Sequence, residues 1–380
     1  MKFTCTRASI IKSLQLFSHV LDKPSAERHA LHYAVGMATH QDHLTLHATT
    51  HDQHTSLSIP ATIVKTGRTI LPFDVILDFL KALSKKTLTL SMTTKKDNIH
   101  LEGESTRLVL PTVDTDWTLL APPLPKGISP QLTLPIKMLS AMFQPVLSSV
   151  AKENGRYCLQ AIQVHILPTP TPTLITIGTD GQRLTRMTHQ TGAWVKKPHQ
   201  CVTALIPKRT ARLLVEIAHQ TTEGTTVSLT LTNPTWIFQL PNCEVRTQNF
   251  SGSFPDYTKI IPSALPPTIK VSRSTLMGAL RRMETISDPL SHPITIQVNQ
   301  SEMLLSTVNT HIGEAHEPVD ATIHMNETTL GFNGKMLLEG LGTTEAEQIE
   351  WSVDSPTAPC VMISPEDPSW THVLMPVRMS

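Results

Sequence analysis

Apolar side chains recur at helical spacing in three widely separated stretches of the chain. In KFTCTRASIIKSLQLFSHVL the positions are Ile10, Ile11, Leu14, Phe17, Val20 and Leu21. In QLTLPIKMLSAMFQPVLSSV they are Leu139, Met142, Phe143, Val146 and Leu147, and in TIKVSRSTLMGALRRMETIS they are Leu276, Leu280, Met283 and Ile286. The 3.6-residue period predicts a helix in each, entered from a short strand. Alternating runs follow, such as 42–49, 173–180 and 293–300, and these read as paired strands. A second strand-and-helix unit then appears in each stretch: TILPFDVILDFLKAL, TALIPKRTARLLVEI and LGFNGKMLLEGL. More alternating segments come after it. The pattern strand, helix, strands is thus written twice per copy, in three copies of roughly 130 residues.

This predicts an α+β protein of three tandem two-helix, antiparallel-sheet domains, spanning 1–125, 126–258 and 259–380. Proline-rich links at 119–131 and 254–267 separate the copies, and proline stiffens such joints. The proline-rich piece at 167–173 lies between two strands of the middle copy and reads as a hairpin loop. An antiparallel sheet leaves open edges that must be paired or covered. Tandem copies can pair edge to edge, which leaves one open edge at each end. A head-to-tail symmetric dimer closes both and makes a ring.

Composition narrows the chemistry. Of 380 residues 39% are apolar but only 4% aromatic, so the cores are expected to rest on Leu, Ile, Val and Met. The formal charge is +1, which argues against a protein that coats nucleic acid. The near-neutral total hides a segregation. The six predicted helical segments (7–21, 73–86, 137–153, 208–219, 273–288 and 334–341) carry 14 basic and 7 acidic side chains, against 18 and 24 elsewhere. If the helices share a surface, that surface is positive and suited to a phosphate backbone. No aromatic ladder accompanies the basic residues, which favours duplex over single-stranded nucleic acid.

Five scattered cysteines without a CxxC pair indicate neither a zinc ribbon nor a disulfide framework. The amino-terminal stretch lacks a signal-peptide core and no run approaches transmembrane length, so a soluble, cytoplasmic protein is expected. Eighteen histidines, seven of them between His29 and His54, raise the question of an enzyme or metal site. His43 and His47 fall on one strand face opposite Leu44 and Leu46, which predicts solvated histidines, not ligands. Nucleophile-elbow, Walker and HExxH motifs are missing from the sequence, and TDG at 179–181 reads as a turn. No catalytic residue, metal or cofactor is assigned.

The start MKFT, RYCL at 156–159, TDGQRL at 179–184, FPDY at 254–257 and VLMPVRM at 373–379 stand in order on the threefold repeat. With these the chain resembles, over essentially its full length, the bacterial DNA polymerase III beta subunit, the sliding-clamp family. The resemblance implies a homodimeric ring of six similar domains, helices lining the hole, that encircles duplex DNA without reading its sequence. It implies a non-catalytic tether for replicative polymerase, clamp-loader subunits and other replication or repair proteins, which dock short peptides between the second and third domains. Residues matching that pocket are Leu159, Thr179, Gly181, Arg183, Leu184, Pro255, Ile260, Asn333, Val373, Met375, Pro376, Val377, Arg378 and Met379. The apolar ones make an adaptable slot, methionine above all, and Arg183 and Arg378 are suited to a peptide backbone or its carboxylates.

DNA contact is expected from Lys152, Arg156, Tyr157, Lys208, Arg209 and Arg282, and the subunit interface from Leu108, Leu110 and Ile286. The chain departs from the family pattern at several points. Cys158 and Met336 stand where tyrosine is frequent, Lys259 where arginine is common, and Phe73 and Asp74 where basic residues are frequent; Ser380 extends past the usual end. The alternatives are a specialised phage, plasmid or repair clamp, and a peptide-binding scaffold that never closes on DNA.

Overall fold

The computed structural model describes residues 1–21, 33–95, 98–113, 115–123, 130–152, 157–167, 172–190, 193–194, 201–232, 234–261 and 266–378. The helices are α1 (Arg7–Phe17), α2 (Phe73–Ala82), α3 (Trp117–Leu120), α4 (Lys137–Leu147), α5 (Lys208–Gln220), α6 (Arg273–Glu284) and α7 (Gly334–Leu341). Six of them are the predicted ones. The short α3 lies at the start of the first proline-rich link and was not expected.

Several helices end before their periodicity does, and the causes are local. Helix α4, with Pro145 inside its last turn, stops at Leu147, not residue 153, and the chain leaves it in tighter turns in which the amides of Ser149 and Val150 donate to carbonyls three residues back. Proline has no N–H, so the carbonyl of Ala141 loses its i+4 donor. His189 Nε2 takes that place at 3.2 Å. Helix α2 ends at Ala82 because Leu83 is extended (φ −70°, ψ 148°). At their starts, Thr6, Ser272 and Asn333 cap α1, α6 and α7 by accepting from the amides of Ser9, Thr275 and Met336. Each such cap is worth about 1 kcal/mol. Each helix turns its apolar stripe to a sheet: Ile10, Leu14, Leu16 and Phe17 in α1, and Leu276, Leu280 and Met283 in α6, are all buried. Burial of one such side chain contributes roughly 1.5–3 kcal/mol. The cores are aliphatic as expected, although Trp351 and Trp370 are fully enclosed.

The described residues form two compact units. The first comprises 1–140, 192–200 and 209–249, the second 141–191, 201–208 and 250–380, so the middle repeat contributes to both. In the first unit a five-stranded sheet runs from Thr62–Lys65 to the outer strand Thr106–Pro111. Beside it a nine-stranded sheet spans two repeats. Its seam pairs Cys243–Gln248 of the middle repeat with Gln53–Pro60 of the first, antiparallel, with Arg246 opposite His54. Arg246 also donates to the carbonyls of Pro122 and Pro123 at 2.9 Å, pinning the proline-rich link.

The second unit contains a twelve-stranded sheet. Its seam pairs Arg183–Gln190 of the middle repeat with Trp370–Leu374 of the third, with Thr185 opposite His372. Edge-to-edge pairing of tandem copies is therefore realised at both seams. The strands Ala161–Leu167 and Thr173–Thr179 pair antiparallel, as the hairpin reading requires, with Leu167 opposite Thr173. The loop residues 168–171 lie outside the described residues. No helix of the described residues is long and apolar enough to cross a membrane.

Candidate functional site

In the second unit three of the nominated pocket residues, Leu184, Ile260 and Val373, gather in one apolar cluster. Its buried floor is Ile177, Leu184, Val361 and Val373, against which Ile175, Phe254, Tyr257, Ile260, Ile261 and Ile363 pack half-buried. Strand alternation places Ile175, Ile177 and Thr179 on one face, and the seam adds Val373 directly opposite Leu184. Of the cluster's other members, none is expected from the sequence as a pocket residue. Ile175 and Ile177 were legible from the same period-two pattern, whereas Val361 and Ile363 join through cross-strand pairing alone.

The rim is built by the turn joining Thr173–Thr179 to Arg183–Gln190. Thr179 Oγ1 donates to the carbonyl of Arg183 at 2.7 Å and accepts from the amide of Gly181 at 3.1 Å. Gly181 has φ +93°, a conformation glycine adopts without strain. The TDG segment is thus a turn, as read. The carboxylate of Asp180 accepts from the amides of Gln182 and Arg183, both at 3.0 Å. The guanidinium of Arg183 meets Asp180 at 3.0 Å and Glu339 of α7 at 2.6 Å, with only 9% of its side chain exposed. Its charge is already neutralised within the protein, so its first role is to tie the turn to α7.

The carboxy-terminal segment runs over this turn. The amide of Met375 donates to the carbonyl of Gln182, and that of Val377 to Gly331, both at 2.8 Å. Met375 and Val377 remain exposed, 37% and 39%. Arg378 is exposed at the end of a groove of about 520 Å³ that it shares with Thr329, Gly331, Pro356, Pro376 and Val377. Asn333 caps α7 and donates to the carbonyl of Ser291 at 2.9 Å. Leu159 is buried, and Pro255 is half-buried next to Phe254. Met379 lies outside the described residues.

Beneath the seam His372 is fully buried. Its Nδ1 pairs with Thr185 Oγ1 at 2.9 Å, which in turn meets Ser149 Oγ at 2.6 Å. Burial, with a smaller push from Arg183, lowers its pKa to about 3, so it is neutral.

The nominated DNA residues differ in their surroundings. Lys152 is exposed. Lys208 Nζ donates to the carbonyls of Val150 and Ala151 at 2.6 and 3.3 Å, just past the end of α4. Arg209 lies 4.0 Å from the buried carboxylate of Asp52, and Arg282 grips Glu317 with two nitrogens. Arg156 and the ring of Tyr157 lie outside the described residues. By contrast Lys12, Arg212 and Arg281, all on helices, are exposed with no carboxylate within 4 Å among the described residues. At the nominated interface Leu110 is buried in its own sheet, Leu108 and Ile286 are half-buried, and Val109 is 52% exposed.

The histidine-rich region differs from expectation at one position. His43 is partly exposed and pairs with Asp42 at 2.8 Å. His47 is not solvated: it stacks on His54 at 5.7 Å and meets the edge of Trp117 at 5.5 Å. The unforeseen α3 supplies that tryptophan and covers the strand face. Among the described residues no group of three or more His, Cys, Asp or Glu side chains is arranged to hold a metal.

Comparison with known proteins agrees with this architecture. Residues 1–117 match the family description "DNA polymerase III beta subunit, N-terminal domain", and residues 258–378 match "DNA polymerase III beta subunit, C-terminal domain". A beta sliding clamp from Caulobacter vibrioides is 24% identical, and one from Synechocystis likewise, each alignment covering 100% of both chains. Among solved structures, a sliding clamp from Bartonella birtlesii bound to griselimycin superposes with a TM-score of 0.88 at 22% identity, covering 100% of both chains. A Caulobacter crescentus beta sliding clamp gives 0.87 at 23% identity, covering 100% of this chain and 99% of that one.

Proposed function

We propose that this chain, which belongs to the DNA polymerase III beta subunit family, works as a non-catalytic sliding clamp: a ring of two copies that encircles duplex DNA and tethers polymerase and other replication or repair proteins. The observation that carries this reading is the state of the sheet edges. Both internal seams between repeats are closed by antiparallel pairing, while the open edges among the described residues include a strand of the first repeat and a segment of a strand of the third. Thr106–Pro111 is the outer strand of its sheet. Gly313–Ile323 pairs with Ile269–Val271 through 321–323 only, so its segment 313–320 is bonded on one side, to Glu302–Asn309. An exposed strand edge is a template for another strand. Arg107 on one open strand and Glu314 and Asp320 on the other are complementary in charge, while Glu317 is already held by Arg282. Head-to-tail pairing of two copies satisfies both edges and closes the ring.

A topological tether needs little affinity for any one phosphate. Weak contacts from scattered cations let the ring slide, and binding then depends on salt through the number of phosphates neutralised. Lys12, Arg212 and Arg281 carry this role in the reading, with Lys152, while Lys208, Arg209 and Arg282 serve mainly to brace the fold. The apolar cluster with the exposed Met375 and Val377 receives a partner peptide at about micromolar affinity, roughly −8 kcal/mol. A specialised clamp is the second reading, favoured by the internal pairing of Arg209 and Arg282.

Negative-stain microscopy of the purified protein at micromolar concentration tests the ring. Closed rings with a pseudo-sixfold outline and a hole admitting duplex DNA are expected; isolated crescents would overturn the edge-pairing argument. With DNA threaded, each of Lys12→Ala, Arg212→Ala and Arg281→Ala is expected to reduce the slope of log affinity against log salt by about 1. Slopes equal to wild type in all three variants would remove these side chains from the DNA face.

A further inference from the structure

On the sheet face that carries the apolar cluster, cross-strand rows of side chains succeed one another away from the turn at Gly181. The first row holds Thr179, Leu184, Val373 and Val361. The next holds Gln163, Ile177, Arg186, Thr371 and Ile363. Residues two apart on a strand share a face, so Arg186 projects on the side of Leu184 and Ile177. Phe254, Tyr257, Ile260 and Ile261 pack against that same face.

Arg186 is a cation in this apolar setting with nothing to neutralise it. Its side chain is half-buried and makes no ion pair or hydrogen bond among the described residues. Its Nε is fully enclosed without a partner, whereas the two terminal nitrogens are not enclosed and can be reached by a ligand. The acids around the cluster are already engaged. Asp180 and Glu339 hold Arg183. Asp256, the one acid of the segment 254–261, accepts from Thr258 at 2.6 Å and pairs with Lys259 at 3.5 Å. The Arg186 charge is felt at the covering segment: burial raises the pKa of the Tyr257 hydroxyl, and Arg186 opposes the rise. A cation held half-buried among isoleucine and leucine loses hydration that no internal partner returns. A carboxylate supplied from outside returns it; an apolar or amide side chain does not.

We infer that Arg186 selects, among the peptides that the proposed docking function brings to this cluster, those with an acidic side chain beside their apolar anchor, a role that rests on that function. The anchor enters the row of Leu184 and Val373. The carboxylate meets the terminal nitrogens of Arg186 one row further on, roughly 7 Å along the strand. The planar guanidinium suits a carboxylate held by two hydrogen bonds. Such a pair acts more on the choice of partner than on raw affinity.

Fluorescence polarisation with the full chain at about 150 mM NaCl tests this. The probe is a labelled clamp-binding peptide in which each position flanking its apolar anchors is replaced in turn by Asp and by Asn. At one position the Asp peptide is expected to bind wild type about tenfold more tightly than its Asn counterpart. Arg186→Gln should abolish that preference while holding the Asn peptide within about threefold of its wild-type affinity, and Arg186→Lys should keep part of the preference. Should Arg186→Gln not fold, Arg186→Met, which keeps a long side chain on the apolar face, makes the same measurement. Equal weakening of both peptides by the variant would mean a merely structural residue and would overturn the inference. So would a preference that survives in the variant, which would assign the acid to another cation such as Lys259 or Arg378. Saturable binding of the peptides to wild type with no Asp preference at any position removes the role of Arg186 and leaves the docking function standing; no saturable binding of any peptide removes both.

Discussion

Both inter-repeat seams have a neutral histidine built into them, and this makes the protein sensitive to acid in a calculable way. His54 sits opposite Arg246 in one seam and His372 opposite Thr185 in the other. His47 stacks on His54. Burial first, then Arg246 and His47, push the pKa of His54 to about 3; burial, His40 and Arg246 push His47 to about 4; burial and Arg183 push His372 to about 3. An ordinary histidine titrates near 6.5.

Because the folded values are depressed, the unfolded chain binds protons first as pH falls. The stability of the neutral form is complete above about pH 6.5 and is lost progressively toward the folded pKa values. At pH 5 all three remain neutral in the folded protein while their unfolded counterparts are charged. Each then costs about 2 kcal/mol, about 6 kcal/mol for the three together. That is comparable to the whole net stability of a typical domain, about 5–15 kcal/mol. The first unit, with His47 and His54, carries about two-thirds of the loss.

The perturbation that isolates one of these terms is His372→Gln. Urea unfolding followed by tryptophan emission reports on it directly, since Trp370 stacks on His372 and both Trp370 and Trp351 are fully buried in the same unit. The variant loses packing at every pH, so the readout is the difference in unfolding free energy between pH 7.5 and pH 5.0. That difference should shrink by about 2 kcal/mol relative to wild type. An unchanged difference would mean that His372 takes up its proton without unfolding, and the seam argument would fail.

Two further outcomes follow from local geometry. Gly340→Ala in α7 would ordinarily gain up to about 1 kcal/mol from helix preference, but its Cβ would lie 2.7 Å from two carbons of the His372 ring and closer still to Nε2. A net loss of about 1–2 kcal/mol and a melting temperature lower by several degrees are expected by calorimetry, and a rise in melting temperature would refute the clash. Deletion of residues 375–380 removes the strap that Met375 and Val377 make across Gln182 and Gly331. Fluorescence polarisation with a labelled clamp-binding peptide should then show no binding while sedimentation still shows the dimer; unchanged peptide affinity would remove this segment from the pocket.

Much of this protein is legible in its sequence because its order is local. The threefold strand–helix–strands pattern, six of the helices and the turn at Gly181 follow from period, capping residues and glycine, all of which act within a few positions. The pocket was partly legible for the same reason: Leu184 and Val373 lie in alternating strands, and the family resemblance supplied their partners. What only the tertiary structure decided depends on groups far apart in the chain. Arg183 is spent on Asp180 and on Glu339, 156 residues away. Lys208, Arg209 and Arg282 look like free cations until folding brings carbonyls or carboxylates beside them. His47 has the alternation of a solvated strand face, and becomes buried because Trp117 of a four-residue helix folds over it. Period and propensity specify which face of an element is apolar; the partner of each charge and the cover over each polar face are set by long-range packing, where one distant side chain changes whether a histidine or an arginine meets water.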